Sequence, residues 1–326
     1  MENLTASRFG LRGGKDRLSR AALAEILAYK GARPWVWLRT AALTWAIILI
    51  SVGCAEHMHA RWATLLAIVI IATRQIVLGL LIHEQAHCLG FSSRYDWLAN
   101  LLAAYPLMVL SVEGYAQVHL SHHKFYFTRK DPDFLRKSGA EWAYPMPALR
   151  LATLFLTDLA GFNVVRLIKG KRMIGEAFKR PHATPGWVRL VLYAPLAVTF
   201  TFTGTWSLFF LYWVLPLLTV AQALIRLGAI SEHIYNMANA SVADTSPIIM
   251  PRWWEKLILT NLNFTLHPYH HYFPGISYRY LPEIHAIFCR DGLVDESRLF
   301  QGYWPYLKFL VTEPPAPGSA PRGTGP

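Results

Sequence analysis

Charge is what this chain has least of. Only 16% of its 326 residues are Asp, Glu, Lys or Arg, against about 25% in an ordinary soluble domain. Acids are the rarer sign, 20 against 32 Lys and Arg, which leaves a formal net charge of +12. The three cysteines, Cys54, Cys88 and Cys289, are scattered without CxxC spacing, which argues against a disulfide framework and against a thiolate metal site. No cleavable leader is evident either. The first apolar stretch starts after residue 33, behind Arg8, Arg12, Lys15, Arg17, Arg20, Lys30 and Arg33. That order reads as a basic cytoplasmic arm followed by an anchoring first span.

Hydrocarbon is what the chain has most of. It is 53% hydrophobic, with a mean hydropathy of +0.26. In so apolar a chain, excess positive charge points to a membrane surface and not to nucleic acid. The length would suit about two soluble domains, yet one helical membrane body accounts for it equally well. Crossing the bilayer core takes about 20 apolar residues. Trp35 to Ala55 and Trp62 to Ile82 supply two such runs, separated by AEHMHAR. Trp187 to Phe202 and Trp206 to Leu227 supply two more, joined around Gly204. Read as one helix, that second pair would be too long for a single crossing.

The expected fold class is therefore all-α: a polytopic membrane protein with four transmembrane helices in two hairpins and a cytosolic helical cap. The segments are a basic arm over 1–33, a hairpin over 34–82, a polar segment over 83–186, a second hairpin over 187–228, a polar segment over 229–312 and a disordered tail over 313–326. Lys169, Lys171, Arg172, Lys179 and Arg180 put the first polar segment on the cytoplasmic side, together with both termini. Trp35, Trp62, Trp187 and Trp206 at the span edges suit an interfacial belt. Stretches 97–112 and 142–168, broken by Pro106, Pro145 and Pro147, read as interfacial or partly re-entrant helices. A spanning 148–168 would instead send the later histidines to the opposite side.

Thirteen histidines occur, and their spacing is not random. His83 and His87 stand in HEQAH where the second run ends. His119, His122 and His123 form HLSHH, and His267, His270 and His271 form HPYHH. His233 stands in SEHIY just past the fourth run. Helical residues three and four apart share a face, so each box aims two or three imidazoles one way. Neutral imidazole suits Fe, Zn, Cu and Ni, and this many ligands imply two ions. His57, His59, His182 and His285 lack partners at ligand spacing and are set aside. Glu84, Asp131, Asp133 and Glu232 adjoin boxes and are candidates to orient ligands, although a solvated loop explains the KDPDF run equally well. Asn263 orients a ligand or caps a helix.

With HEQAH at 83–87, HLSHH at 119–123, SEH at 231–233 and HPYHHYFPGISYRYLPEIH at 267–285, the chain resembles the membrane fatty acid desaturase and hydroxylase superfamily over about residues 35 to 290. The resemblance implies a four-helix membrane body with a cytosolic cap. It implies a centre of two Fe ions (Fe2+/Fe3+) held by the nine histidines 83, 87, 119, 122, 123, 233, 267, 270 and 271. It implies O2 as co-substrate and a lipid acyl chain as substrate. Where some members carry Asn four residues before the isolated histidine, this chain has Ala229. With no fused cytochrome b5 segment, a separate donor of the ferredoxin or cytochrome b5 type is expected, and the basic face could dock it.

Desaturation of a fatty acyl or acyl-lipid chain is the leading expectation. Hydroxylation or ketolation of a lipid or carotenoid is its alternative within the superfamily. A metal transporter would place ionisable residues at mid-membrane, and a bis-histidine haem carrier would pair histidines inside facing spans. The boxes here lie beyond the span ends. Neither of those readings involves nucleic acid, and neither does the preferred one.

Overall fold

The structure, a computed structural model, describes residues 6–108, 110–164, 180–259 and 262–312. Lys169, Lys171, Arg172, Lys179 and the tail over 313–326 lie outside the described residues. Those described form helices and no strand; two isolated bridges, Leu11 to Val294 and Ile249 to Phe300, are the only β pairing among them.

Helix α1 (Arg20–Leu27) precedes the long helices α2 (Pro34–Met58) and α3 (Arg61–Ala86). Pro34 opens α2 at the one position where its missing N–H costs nothing. His59, in the left-handed region at φ 49°, turns the chain into α3. The two helices, about 38 Å long each, meet along a seam of small residues that includes Ala41, Ala55, Ala63 and Ala67. Such residues let helix backbones approach closely in lipid. The second expected hairpin is unequal. Helix α6 (Trp187–Thr203) has 17 residues with Pro195 inside it, while α7 (Trp206–Glu232) has 27. Gly204, at φ 67°, makes the turn between them, as expected.

By length and composition, α2, α3 and α7 can each cross a membrane. Helix α6, about 25 Å long, is shorter than a bilayer core of about 30 Å. A fourth candidate is a broken pair, Ser93–Leu107 and α4 (Val112–Phe125), bent by 91°. Helix α5 (Ala148–Leu159) is 12 residues long, far too short to cross. The four Trp residues expected at helix edges stand exposed there: Trp35 by 83%, Trp62 by 59%, Trp187 by 60% and Trp206 by 37%. Other Trp residues turn inward and use their indole N–H groups as pins. Trp37 donates to the Leu81 carbonyl at 3.0 Å, Trp45 to Leu102 at 2.9 Å and Trp213 to Pro106 at 2.8 Å.

The N-terminal arm is not free of the body. Leu11, Ala22 and Ile26 share one core with Phe264, Tyr269, Leu281, Ile284 and Phe288. Ser19 donates twice at the end of helix α9 (Leu281–Arg290), its N–H and its hydroxyl both reaching the Asp291 carboxylate, at 2.7 and 2.8 Å. Helix α8 (His267–Tyr272) lies inside this core and carries the last histidine box. Helix α10 (Tyr303–Thr312) closes a second core against α5 and α7.

One buried ion pair ties α5 to α7. Arg226 donates to Asp158, and the two are 3% and 0% exposed. Removing one partner leaves the other charged and buried, which costs about 3–5 kcal/mol. Arg226→Leu or Asp158→Leu alone should lower the thermal midpoint of detergent-purified protein sharply, and the double variant should recover most of the loss.

Candidate metal centre

The helix ends carry the histidines to one place. His83 and His87 close α3; His119, His122 and His123 form the last turns of α4; His233 follows α7 directly; His267, His270 and His271 lie on α8. All nine come together. They divide into two nests by the spacing of their Nε2 atoms.

In the first nest His119 lies 2.9 Å from His87 and 3.0 Å from His123, and His123 lies 3.1 Å from His270. His83 completes it, with its ligand atom within 4.8 Å of those of His87, His119 and His270. In the second, His233 lies 3.3 Å from His122, 3.1 Å from His267 and 3.0 Å from His271, and His271 lies 3.0 Å from His267. Each HxxHH box is thus split. Its i, i+4 pair serves one nest and its i+3 member the other, in opposite senses on α4 and α8. Neither nest includes a carboxylate among the described residues.

The spacing fits a cation. With a metal–nitrogen bond of about 2.1 Å, ligands at right angles stand about 3.0 Å apart and tetrahedral ligands about 3.4 Å apart. The chemistry of the donors agrees. His122 Nδ1 faces the Asp131 carboxylate at 2.8 Å, so its proton sits there and its Nε2 presents a bare lone pair to the nest. Both ring nitrogens of His83, and Nδ1 of His267, are buried without a protein partner, where a buried polar atom ordinarily has one. Burial, then the charges of Arg180 and His122, pushes His87 down to about 3. Burial and neighbouring imidazoles also hold His233, His267, His270 and His271 well below the usual histidine range. These five rings are neutral at pH 7, which is the form that binds metal.

Of the carboxylates expected to orient ligands, Asp131 does so. It is fully buried, and N–H groups of Phe127, Asp133 and Phe134 donate to it at 2.8, 2.9 and 3.1 Å, fixing the oxygen that meets His122. Asp133 instead binds Arg136, Lys137 and Tyr235. Glu84 accepts from the Tyr278 N–H at 3.3 Å. Asn263 neither caps a helix nor meets a histidine; its amide donates to the Tyr278 carbonyl at 3.2 Å. His57 and His59 are exposed at the far end of the α2–α3 hairpin, and His285 pairs with the Tyr269 hydroxyl at 2.7 Å.

Three contributors escape a reading of the boxes. Ser246 Oγ lies 2.8 Å and the Tyr126 hydroxyl 3.2 Å from His233 Nδ1, and Tyr115 stacks on His119 with centroids 5.4 Å apart. Tyr115 sits four residues before His119, so helical spacing could have found it; nothing in the sequence marks Ser246. Arg180 closes the end of α3. It donates to the carbonyls of Gln85 and Ala86 at 2.7 and 2.9 Å and stands 3.1 Å from Asp96, which itself accepts from Gln85 at 2.6 Å.

Orienting partners of this kind typically change metal affinity by about 10–100-fold. Asp131→Asn can keep its one oxygen on the Asp133 and Phe134 N–H groups, which turns an amide NH2 towards the Phe127 N–H and His122 Nδ1 in place of the acceptor they share. It should therefore weaken metal binding in the second nest by about that factor and spare the first, as read by metal titration of apo-protein.

A sequence model described as fatty acid desaturase matches residues 60–304, a span that includes every histidine of both nests. A search of curated proteins gives no match. The histidine clusters are compatible with a metal site, the apolar helices fit a membrane protein, and the family is one of oxidoreductases. The chain belongs to the fatty acid desaturase family, within the membrane desaturase and hydroxylase superfamily.

Proposed function

We propose that each nest holds one iron ion and that the protein uses O2 to introduce a C=C double bond into a lipid hydrocarbon chain. The observation that carries this reading is the Nε2 spacing of 2.9–3.3 Å in two separate all-imidazole sets. His83, His87, His119, His123 and His270 serve one ion; His122, His233, His267 and His271 serve the other. Two reduced irons and O2 supply the oxidising power for an unactivated C–H bond, which no side chain has.

The chain's own residues bind, aim and shield. Asp131 fixes the ring of His122, while Ser246 and Tyr126 fix that of His233. The Phe264 ring stands edge-on to His83 with centroids 4.6 Å apart and helps keep water from the first nest. Removing hydrogen from two adjacent carbons gives the double bond, and adding a hydroxyl at the first gives an alcohol. Placement of the chain decides between them.

In the membrane, α2, α3 and α7 cross in full and the shorter α6, paired with α7, makes the fourth crossing where the bilayer thins around it, with the histidine end and both termini cytoplasmic. Lys124, Arg129 and Lys130 are exposed close to His123. They support docking of an acidic electron donor, a ferredoxin or cytochrome b5, beside the nests.

Purified protein in lipid nanodiscs, given such a donor and O2, should convert a lipid chain to a product lighter by two hydrogens. Omitting O2 or donor should abolish conversion. A product carrying added oxygen would assign hydroxylation, and the absence of any lipid product with iron-loaded protein would overturn the reading.

A further inference from the structure

Helix α8 has only six residues, yet it supplies ligands to both nests: His270 to the first, His267 and His271 to the second. So short a helix has little stability of its own, and its seat in the fold decides where three rings point. The rings are not pinned from behind. Nδ1 of His122 meets Asp131 and that of His233 meets Ser246. Nδ1 of His267, His270 and His271 has no hydrogen-bond partner among the described residues.

Apart from the ligands, Tyr269 is the one residue of α8 whose side chain makes a hydrogen bond among the described residues. At about 100° per residue it lies about 160° round the helix from His267 and His271, and about 100° from His270. That places it on the face turned away from the nests. It is 0% exposed, its ring centroid stands 4.9 Å from that of Phe288, and its hydroxyl lies 2.7 Å from His285 Nδ1 on α9.

His285 is the histidine of LPEIH that ligand spacing leaves unused. Burial holds its ring below the usual histidine range, so at pH 7 it is neutral and bonds to the phenol as one uncharged group to another. Its other nitrogen lies 3.6 Å from Cys289 Sγ, one turn further on. Helix α9 is itself well fixed. Ile284, Ile287 and Phe288 are buried in the core that α1 shares, and Asp291 at its end takes both bonds from Ser19. A line of contacts thus runs from the N-terminal arm through α9 and Tyr269 to the two nests.

We propose that His285 is a positioning residue for both metals: through Tyr269 it sets the seat of α8 and so aims His267, His270 and His271 together. The role rests on the nests holding metal, as in the proposed function, but not on which metal or which reaction.

The test is Co2+ titration of full-length apo-protein in detergent, read by the visible spectrum of the bound ion, which reports its ligand geometry. Asp131→Asn marks the step that belongs to the second nest. His285→Phe removes the hydrogen bond while keeping a ring in the core. It should weaken Co2+ binding roughly tenfold at both nests and change the spectrum of both bound ions. Tyr269→Phe should do the same, and the double variant should be no worse than either single one. His285→Asn, whose amide stands where Nδ1 stood, should restore most of the affinity. Tyr269→Phe, which removes a single oxygen, is read in place of His285→Phe if that variant fails to fold. Unchanged binding in both single variants, a loss confined to one nest, or a loss that His285→Asn shares in full overturns the proposal. The stated response in a protein that oxidises no lipid when loaded with iron keeps the role of His285 and sinks the oxidase reading.

Discussion

Nitrogen lone pairs pointed at one another across about 3 Å repel unless something positive lies between them. This structure buries two such sets. His83, His119, His122, His233, His267 and His270 are each 9% exposed or less, and burial disfavours the charged form of His87, His233, His267, His270 and His271. A ring N–H can bridge one pair of nitrogens at a time, whereas one cation satisfies a whole set at once. Much of the architecture serves this constraint. Helices α3, α4 and α7 end together so that their last turns can supply ligands. The N-terminal arm and α9 pack around α8 and hold it over those ends.

The split of each box between nests follows from the helix itself. Residues i and i+4 differ by about 40° around the axis, while i+3 lies about 60° to the other side. A single HxxHH helix set between two ions thus presents a pair to one and a single ring to the other. Two such helices facing each other, α4 and α8, exchange these roles. His83 and His87 then bring the first nest to five imidazoles, and His233 brings the second to four. On the proposed reading the two ions are inequivalent by construction.

Much of the site was legible because its ligands sit in short-range patterns on helices, where sequence spacing is spatial spacing. The long helices were legible because lipid imposes length and apolarity on each segment separately. What was not legible depends on approach between distant segments. Asp131 and Asp133 look alike in the KDPDF run, yet only the first meets a histidine, because backbone N–H groups turn it inward while Arg136 and Lys137 draw the second away. Ser246 reaches His233 only through the packing of its loop. Helix α6 extends no further than its apolar run, so composition located it but its 17 residues keep it below the length of the other long helices. Inward Trp37, Trp45 and Trp213 cannot be told from belt residues by composition, since what separates them is a carbonyl on another helix.

The central claim is a pair of unlike irons held by imidazole alone. Mössbauer spectroscopy of protein enriched in the active iron isotope, combined with X-ray absorption, tests it most directly. The account predicts two iron components in equal amounts with different quadrupole splittings, and light scatterers at about 2.1 Å with the multiple-scattering pattern of imidazole. A single iron component, sulfur in the first coordination sphere, or zinc in place of iron would contradict it.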